Sequence, residues 1–339
     1  MREIGSEFWD VPIGSQENGL FPAATQWFLS GRSALKAILS ELKGYKTVSL
    51  PSWCCDSMIR PFLEAGMEVG FYPVYWQDGL KQDICYDSDV ILLMDYFGHS
   101  EQDAGQERSG HIIIRDVTHS LFSTSPSDAD YYFGSLRKWC GVWTGGFAWT
   151  QDGHKIAKEE KTYPEYVALR AKAMKLKAAY IHTVEGKTAP STCDKDYLKV
   201  FQRSEDFLEK TDTALGAERD IRCARFLDKE RIQTKRRTNA EILSRAFPDQ
   251  VMFREWKETD CPMFVPILVR DGRRDALRNH LIRQNIYCPV HWPITTLHRL
   301  EAKERFIYDN EISLVCDQRY TVDDMNRVVE AIQAFWKES

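Results

Sequence analysis

Four short apolar runs in the first half of the chain constrain the fold more than any other feature: "TVSL" (47–50), "EVGFYPVY" (68–75), "DVILLMDYF" (89–97) and "HIIIRDV" (111–117). Between and before them lie helical patterns. Ser30 is placed to cap "GRSALKAILSELK", in which Leu35, Ile38, Leu39 and Leu42 recur at helical spacing and Gly44 follows the end. "CDSMIRPFLEAG" reads as a second helix, closed by Gly66. Short strands alternating with helices require crossover connections, so the pattern predicts an α/β domain with a mostly parallel central sheet. Residues 154–246 change character, to polar helical periodicity rich in Lys, Arg and Glu. Beyond them, "MFVPILV", "IYCPV" and "EISLVC" read as strands and "TVDDMNRVVEAIQAFW" as a terminal helix capped by Thr321. This predicts a large domain over 1–246, including long connecting helices, and a small C-terminal α+β domain over 247–339.

Charge and cysteine usage exclude several classes. The net charge of −5, with no basic stripe, argues against a nucleic-acid partner. The longest aliphatic run, "VILLM", is too short to span a bilayer, and the first residues lack the apolar core of a signal peptide. The nine cysteines contain no CxxC pair, so neither a disulfide framework nor a metal site is expected, and a reducing cytoplasm is the expected home.

Three features carry candidate chemistry. "SGRSAL" opens a helix with small residues, leaving N–H groups for an anion; an ordinary capped helix is the competing reading. Asp116 follows three isoleucines at the C-terminal end of a strand, where ligands gather in open α/β sheets; alone, it could equally cap the following turn. Lys138 sits in "DYYFGSLRKWCGVWTGGFAW", beside Arg137 and among tryptophans and glycines. Its amine could reach water along aromatic surface, or it could be kept from water and joined to a carbonyl as a Schiff base. Pyridoxal 5'-phosphate needs all three: an anion cradle, a carboxylate against its ring nitrogen and a lysine for its aldehyde.

The stretches "SGRSAL", "LPSWCCDSM", "DYFGHS", "RDVTHS", "FGSLRKWCGVWTGGF", "YCPVHWP" and "LVCDQRYTVDDMNRVVEAI", in that order, resemble the DegT/DnrJ/StrS-type sugar aminotransferases. These are fold-type I pyridoxal-phosphate-dependent enzymes, of the aspartate aminotransferase-like fold. The resemblance covers nearly the whole chain. It implies that Lys138 holds the cofactor, Asp116 pairs with its ring nitrogen, and His119 approaches its ring hydroxyl. Ser33 and Ala34, with Ser135, would hold the phosphate. Trp53 or Cys55 would cover the ring face; Trp53 offers the larger π-surface. The freed Lys138 amine would move a proton between substrate and cofactor, and Gly145 and Gly146 would let backbone pass close to the ring.

The resemblance further implies a cytoplasmic homodimer that transfers an amino group from an amino acid, glutamate foremost, to a keto sugar, nucleotide-linked. His291 and Trp292 are the candidate substrate contacts. Arg319 is expected to pair with an acid on the terminal helix. Alternatives are a sugar dehydratase, which Lys138 disfavours, a cysteine desulfurase, and a non-catalytic cofactor-binding regulator. The chain departs from the family at Arg32, where threonine is more common, in the short "SLRK" spacer, and in lacking an evident Asn-Tyr-Arg stretch for the partner's phosphate.

Overall fold

The apolar runs pair into one sheet. The structure is a computed structural model that describes residues 2–99, 110–124, 129–157, 159–186 and 195–337. From the N-terminus, a two-residue strand β1 (Ile4–Gly5) precedes β2 (Gln26–Phe28), α1 (Gly31–Glu41), β3 (Thr47–Pro51), α2 (Asp56–Glu64) and β4 (Glu68–Tyr72). A hairpin of β5 (Val74–Trp76) and β6 (Leu80–Gln82) follows, then β7 (Val90–Met94), β8 (Ile112–Asp116), β9 (Tyr131–Ser135) and β10 (Gly146–Thr150). The central sheet has the order β2-β10-β9-β8-β7-β3-β4. Strands β4, β3, β7, β8 and β9 are mutually parallel, and β10 runs antiparallel to both of its neighbours. The run expected at 68–75 divides at Pro73, because proline has no N–H for the ladder.

Both faces of the sheet are covered, which explains why "VILLM" does not alternate. Val90, Leu92 and Met94 enter one core with α1 and α2, while Ile91 and Leu93 enter another with Phe122, Trp139 and Phe147. Ser30 caps α1 as expected, its Oγ accepting the Ser33 N–H at 3.2 Å.

The polar middle forms α3 (Pro164–Val184), α4 (Tyr197–Leu208), α5 (Glu218–Arg225) and α6 (Lys229–Ala246). The C-terminal part contains β11 (Val265–Leu268), α7 (Arg274–Arg283), β12 (Ile286–Tyr287), α8 (Ala302–Asn310), β13 (Glu311–Leu314) and α9 (Val322–Lys337). Strands β11 and β13 pair antiparallel. This part does not consist of C-terminal residues alone. β1 pairs parallel with β12, and the core around Ile286, Leu314 and Val328 also takes Ile4 from β1 and Ala240 and Leu243 from α6. Cys193 lies outside the described residues, and the other eight cysteines are free. No helix among the described residues is long and apolar enough to cross a membrane.

Candidate active site

The C-terminal ends of β8 and β9 and the N-terminus of α1 converge. Asp116 ends β8 and is 5 % exposed. Its Oδ1 accepts the Thr118 N–H at 2.8 Å, and no salt bridge among the described residues includes it. Burial pushes its carboxyl up to about 6, against the lowering effect of the Thr118 hydrogen bonds. A carboxylate held this way favours a cation placed against it.

Thr118, which the sequence reading passed over, is the joint of the site. Its hydroxyl accepts the Ser135 N–H at 3.1 Å, and its carbonyl accepts the Trp139 indole N–H at 2.6 Å. Asp116, the end of β9 and the Lys138 turn are thereby tied together. Its only sequence signal is its place two residues after an aspartate, an Asx-turn position.

Gly31 opens α1 against β9: a Cβ there would lie 3.3 Å from the Gly134 carbonyl and 3.4 Å from the Ser135 Cβ. Ser135 and the first turn of α1 therefore face each other. The N–H groups of Ser33 and Ala34 already have acceptors, the hydroxyl and carbonyl of Ser30, so they are engaged within the cap. An anion would meet the first-turn N–H groups of Gly31 and Arg32, which have no helical acceptor. Gly146 permits a close approach, but to Ser30: a Cβ would lie 2.0 Å from the Ser30 carbonyl oxygen.

Lys138 ends a single 3-10 turn after β9 and is exposed on the single chain. The aromatic residues of its own stretch do not wall it. Trp139 and Phe147 are buried in the core that holds Ile91 and Leu93, Trp149 stacks on Tyr132, and Trp143 lies under Arg219. The period-two geometry of β10 sends Phe147 and Trp149 to one face, where they stack on each other. Arg137 is engaged by Glu205.

Lys138 lines a cavity of about 340 Å³. Phe264, Tyr287 and His291 also line it, as do the N-terminal residues 5–8. Arg319, another wall residue, pairs with Asp317 at 2.8 Å rather than with an acid of α9, and donates to the Ser6 and Glu7 carbonyls. Arg236 is a wall residue the sequence did not single out. It is buried, donates to Gln318 at 2.8 Å and lies over the Trp139 ring. Besides Glu7 and Asp317, the charged side chains of the wall are the cations Arg137, Lys138, Arg236, Arg278 and Arg319.

His119 is buried, and its Nδ1 accepts the Phe97 N–H at 3.4 Å. Burial, with His291 and Lys138 nearby, holds it well below the usual histidine range, so it is neutral and carries its proton on Nε2. Trp292 stacks on it at 5.6 Å. Trp53 is wholly buried: it stacks on Tyr96 at 4.8 Å, meets Trp292 edge-on and donates its indole N–H to the His291 carbonyl. Cys55, in contrast, is close enough to Lys138 and Asp116 to feel both charges, though burial is what chiefly raises its thiol. The structure thus brings Asp116, His119, Ser135, Cys55, Lys138 and His291 to one locus. Trp53 and Trp292 stand behind it.

This architecture is the fold-type I transferase fold, a mostly parallel seven-stranded sheet with a smaller C-terminal α+β part. Solved structures that it resembles include sugar aminotransferases. A putative sugar aminotransferase from Streptococcus pneumoniae, in its PLP form, superposes with a TM-score of 0.62 at 16 % identity, covering 93 % of this chain and 87 % of that one. PseC of Helicobacter pylori, an aminotransferase of pseudoaminic acid biosynthesis, matches with a TM-score of 0.62, 15 % identity and the same coverages, 93 % and 87 %. The sugar aminotransferase CalS13 of Micromonospora echinospora gives 0.59 at 14 % identity, over 92 % and 87 %. No protein-family model and no curated protein matches the sequence.

Proposed function

We propose that the protein is a pyridoxal-phosphate-dependent aminotransferase that moves an amino group from an amino acid, glutamate foremost, to a keto sugar, nucleotide-linked. The observation that carries this is Asp116: a buried carboxylate without an ion-pair partner among the described residues, tied through Thr118 to the turn that bears Lys138. The residues fit the cofactor. Asp116 would hold the protonated ring nitrogen, the Nε2–H of His119 would donate to the ring oxygen, and Gly31, Arg32 and Ser135 would take the phosphate. Cys55 would cover the ring face, since Trp53 is packed against Tyr96 and Trp292. When bound, pyridoxal phosphate supplies an aldehyde for the amine and a ring that accepts the electrons left by loss of an α-proton.

The chain's own residues do the rest. Lys138 Nζ, with no acid paired to it among the described residues, is the base beside the site. Asp116 stays anionic once a cation lies against it, because that partner offsets the cost of burial. The cationic wall favours an anionic substrate: a donor carboxylate or the phosphates of an activated sugar. Lys138 is exposed on one chain, so excluding water from its amine requires a further wall. A second copy of the chain supplies it in the cytoplasmic homodimer proposed here. A desulfurase would need a mobile reactive thiol, whereas Cys140 is buried, with its thiol pushed up by burial.

Borohydride reduction followed by peptide mapping tests the reading. The expected result is a reduced adduct on Lys138, a spectral change on adding glutamate, and its reversal by a keto sugar. An adduct on another lysine, or reversal by pyruvate or oxaloacetate and by no keto sugar, would overturn it.

A further inference from the structure

Against His291, a lining residue of the cavity, lies a buried acid that the scheme above leaves unused. Glu311 and Ser313, on β13, are both 0 % exposed. Glu311 makes no salt bridge with a lysine or arginine among the described residues; its nearest ionisable partner is the His291 Nδ1, at 3.8 Å. Burying such a carboxylate is costly unless hydrogen bonds replace its water. Two do: Oε2 accepts the His291 backbone N–H at 2.8 Å, and Oε1 accepts the Ser313 hydroxyl.

With Glu311 in its carboxylate form, which only accepts, the proton inventory is determinate. Serine has one hydroxyl proton, and it goes to Glu311. Ser313 Oγ, 2.9 Å from His291 Nδ1, must therefore accept from that nitrogen. A neutral His291 so held carries its proton on Nδ1 and leaves Nε2 with a free lone pair. The ring cannot easily turn away. Its backbone is held by Glu311 on one side and by the Trp53 indole on the other, and Phe97 and Phe264 pack on it at 5.2 Å. His291 lines the same cavity as Lys138.

We propose that Glu311 and Ser313 are positioning residues that fix His291 as the Nδ1–H tautomer, so that Nε2 presents an acceptor to a substrate hydroxyl in the Lys138 cavity. His119, the other histidine at the locus, has the opposite polarity, with Nδ1 accepting from Phe97. The site thus offers one imidazole donor and one imidazole acceptor. The acceptor selects a ketone that carries a neighbouring hydroxyl, a feature of sugars that a simple keto acid lacks. The hydroxyl selectivity rests on the aminotransferase reading; the tautomer does not.

Long-range proton–nitrogen NMR of histidine-labelled, cofactor-free protein tests the tautomer, with His291→Gln identifying the resonances. Wild type is expected to show a pyridine-like Nε2. Glu311→Gln should reverse the relay. The amide oxygen must serve the His291 N–H, which turns the NH2 toward Ser313, and the serine proton then passes to Nδ1, giving Nε2–H. Ser313→Ala, as the second variant, should release Nδ1 and yield a mixed or Nε2–H ring. An Nε2–H ring in wild type, or an unchanged ring in both variants, overturns the proposal. In the half-reaction with a hydroxylated keto sugar, the Glu311→Gln rate should fall about tenfold, the scale of one oriented hydrogen bond. A reversed tautomer with an unaltered rate overturns the selectivity role. A wrong aminotransferase reading shows itself differently, as no borohydride adduct on Lys138 while the tautomer result stands.

Discussion

Replacing Asp116 with asparagine should stabilise the cofactor-free protein, and the gain should depend on pH in a determined direction. The carboxyl is moved by burial from the ordinary 3.8 to about 6. The folded state therefore holds a proton that the unfolded state has released between those values. Stability from this group is intact below 3.8 and is lost as pH rises through about 6. At about 1.4 kcal/mol for each pH unit, the loss approaches about 3 kcal/mol at pH 8 and is about half that at pH 5. Asparagine keeps an oxygen for the Thr118 N–H and carries no charge, so Asp116→Asn should recover the difference. A chain of this length unfolds with an entropy of about 0.7 kcal/mol per degree, which makes the gain about 4 °C in Tm at pH 8 and about 2 °C at pH 5. Thermal melts followed by circular dichroism at the two pH values measure it. A variant less stable than wild type at pH 8, or a gain independent of pH, would refute the reasoning that Asp116 is a strained anion awaiting a cation. The same substitution should weaken cofactor binding and slow the glutamate half-reaction.

Lys177 is wholly buried on α3, donating to Ser6 and the Glu7 carbonyl, and burial followed by Arg319 lowers its amine to about 7. The unfolded state binds the extra proton between about 7 and 10.5, so Lys177→Met should raise Tm at pH 6.5 and show a smaller gain near pH 10. Gly146→Ala would drive a methyl group into the Ser30 carbonyl; a loss of about 3 kcal/mol or more is expected in denaturant melts, and a neutral result would mean that the α1 cap moves freely. Sedimentation should give a dimer at working concentration, and a fully active monomer would remove the partner wall over Lys138.

Much of the site was legible because it depends on strand ends and chain order. Asp116 after "HIII" and Lys138 after "FGSLR" fall at the same end of adjacent parallel strands, and Ser30 reads as a cap from local sequence alone. The rest turns on directions and distances that residue types do not carry. Trp53 offered the larger ring, but the segment after β3 leaves the ladder, so strand parity no longer says which side chain turns toward Lys138. Cys55 does. Phe147 and Trp149 could be placed on one face of a strand, yet which face met the lysine depended on how β10 packs. Arg236, and the pairing of β1 with β12, are contacts between segments far apart in the chain, and no local pattern announces them.

The side of the cavity formed by residues 5–8 has a consequence for the order in which the protein is made. That segment is held by Tyr287, whose strand pairs with β1, and by Arg319 and Tyr320, which bind its backbone. Residues 5–8 thus wait for partners that are translated much later in the chain. A nascent chain stopped after β10 contains the sequence of every strand of the central sheet, with Asp116, Ser135 and Lys138, but none of the later residues that line the cavity. Lys138 and its enclosure mature on different clocks, because the chamber also needs Tyr287, His291 and Arg319.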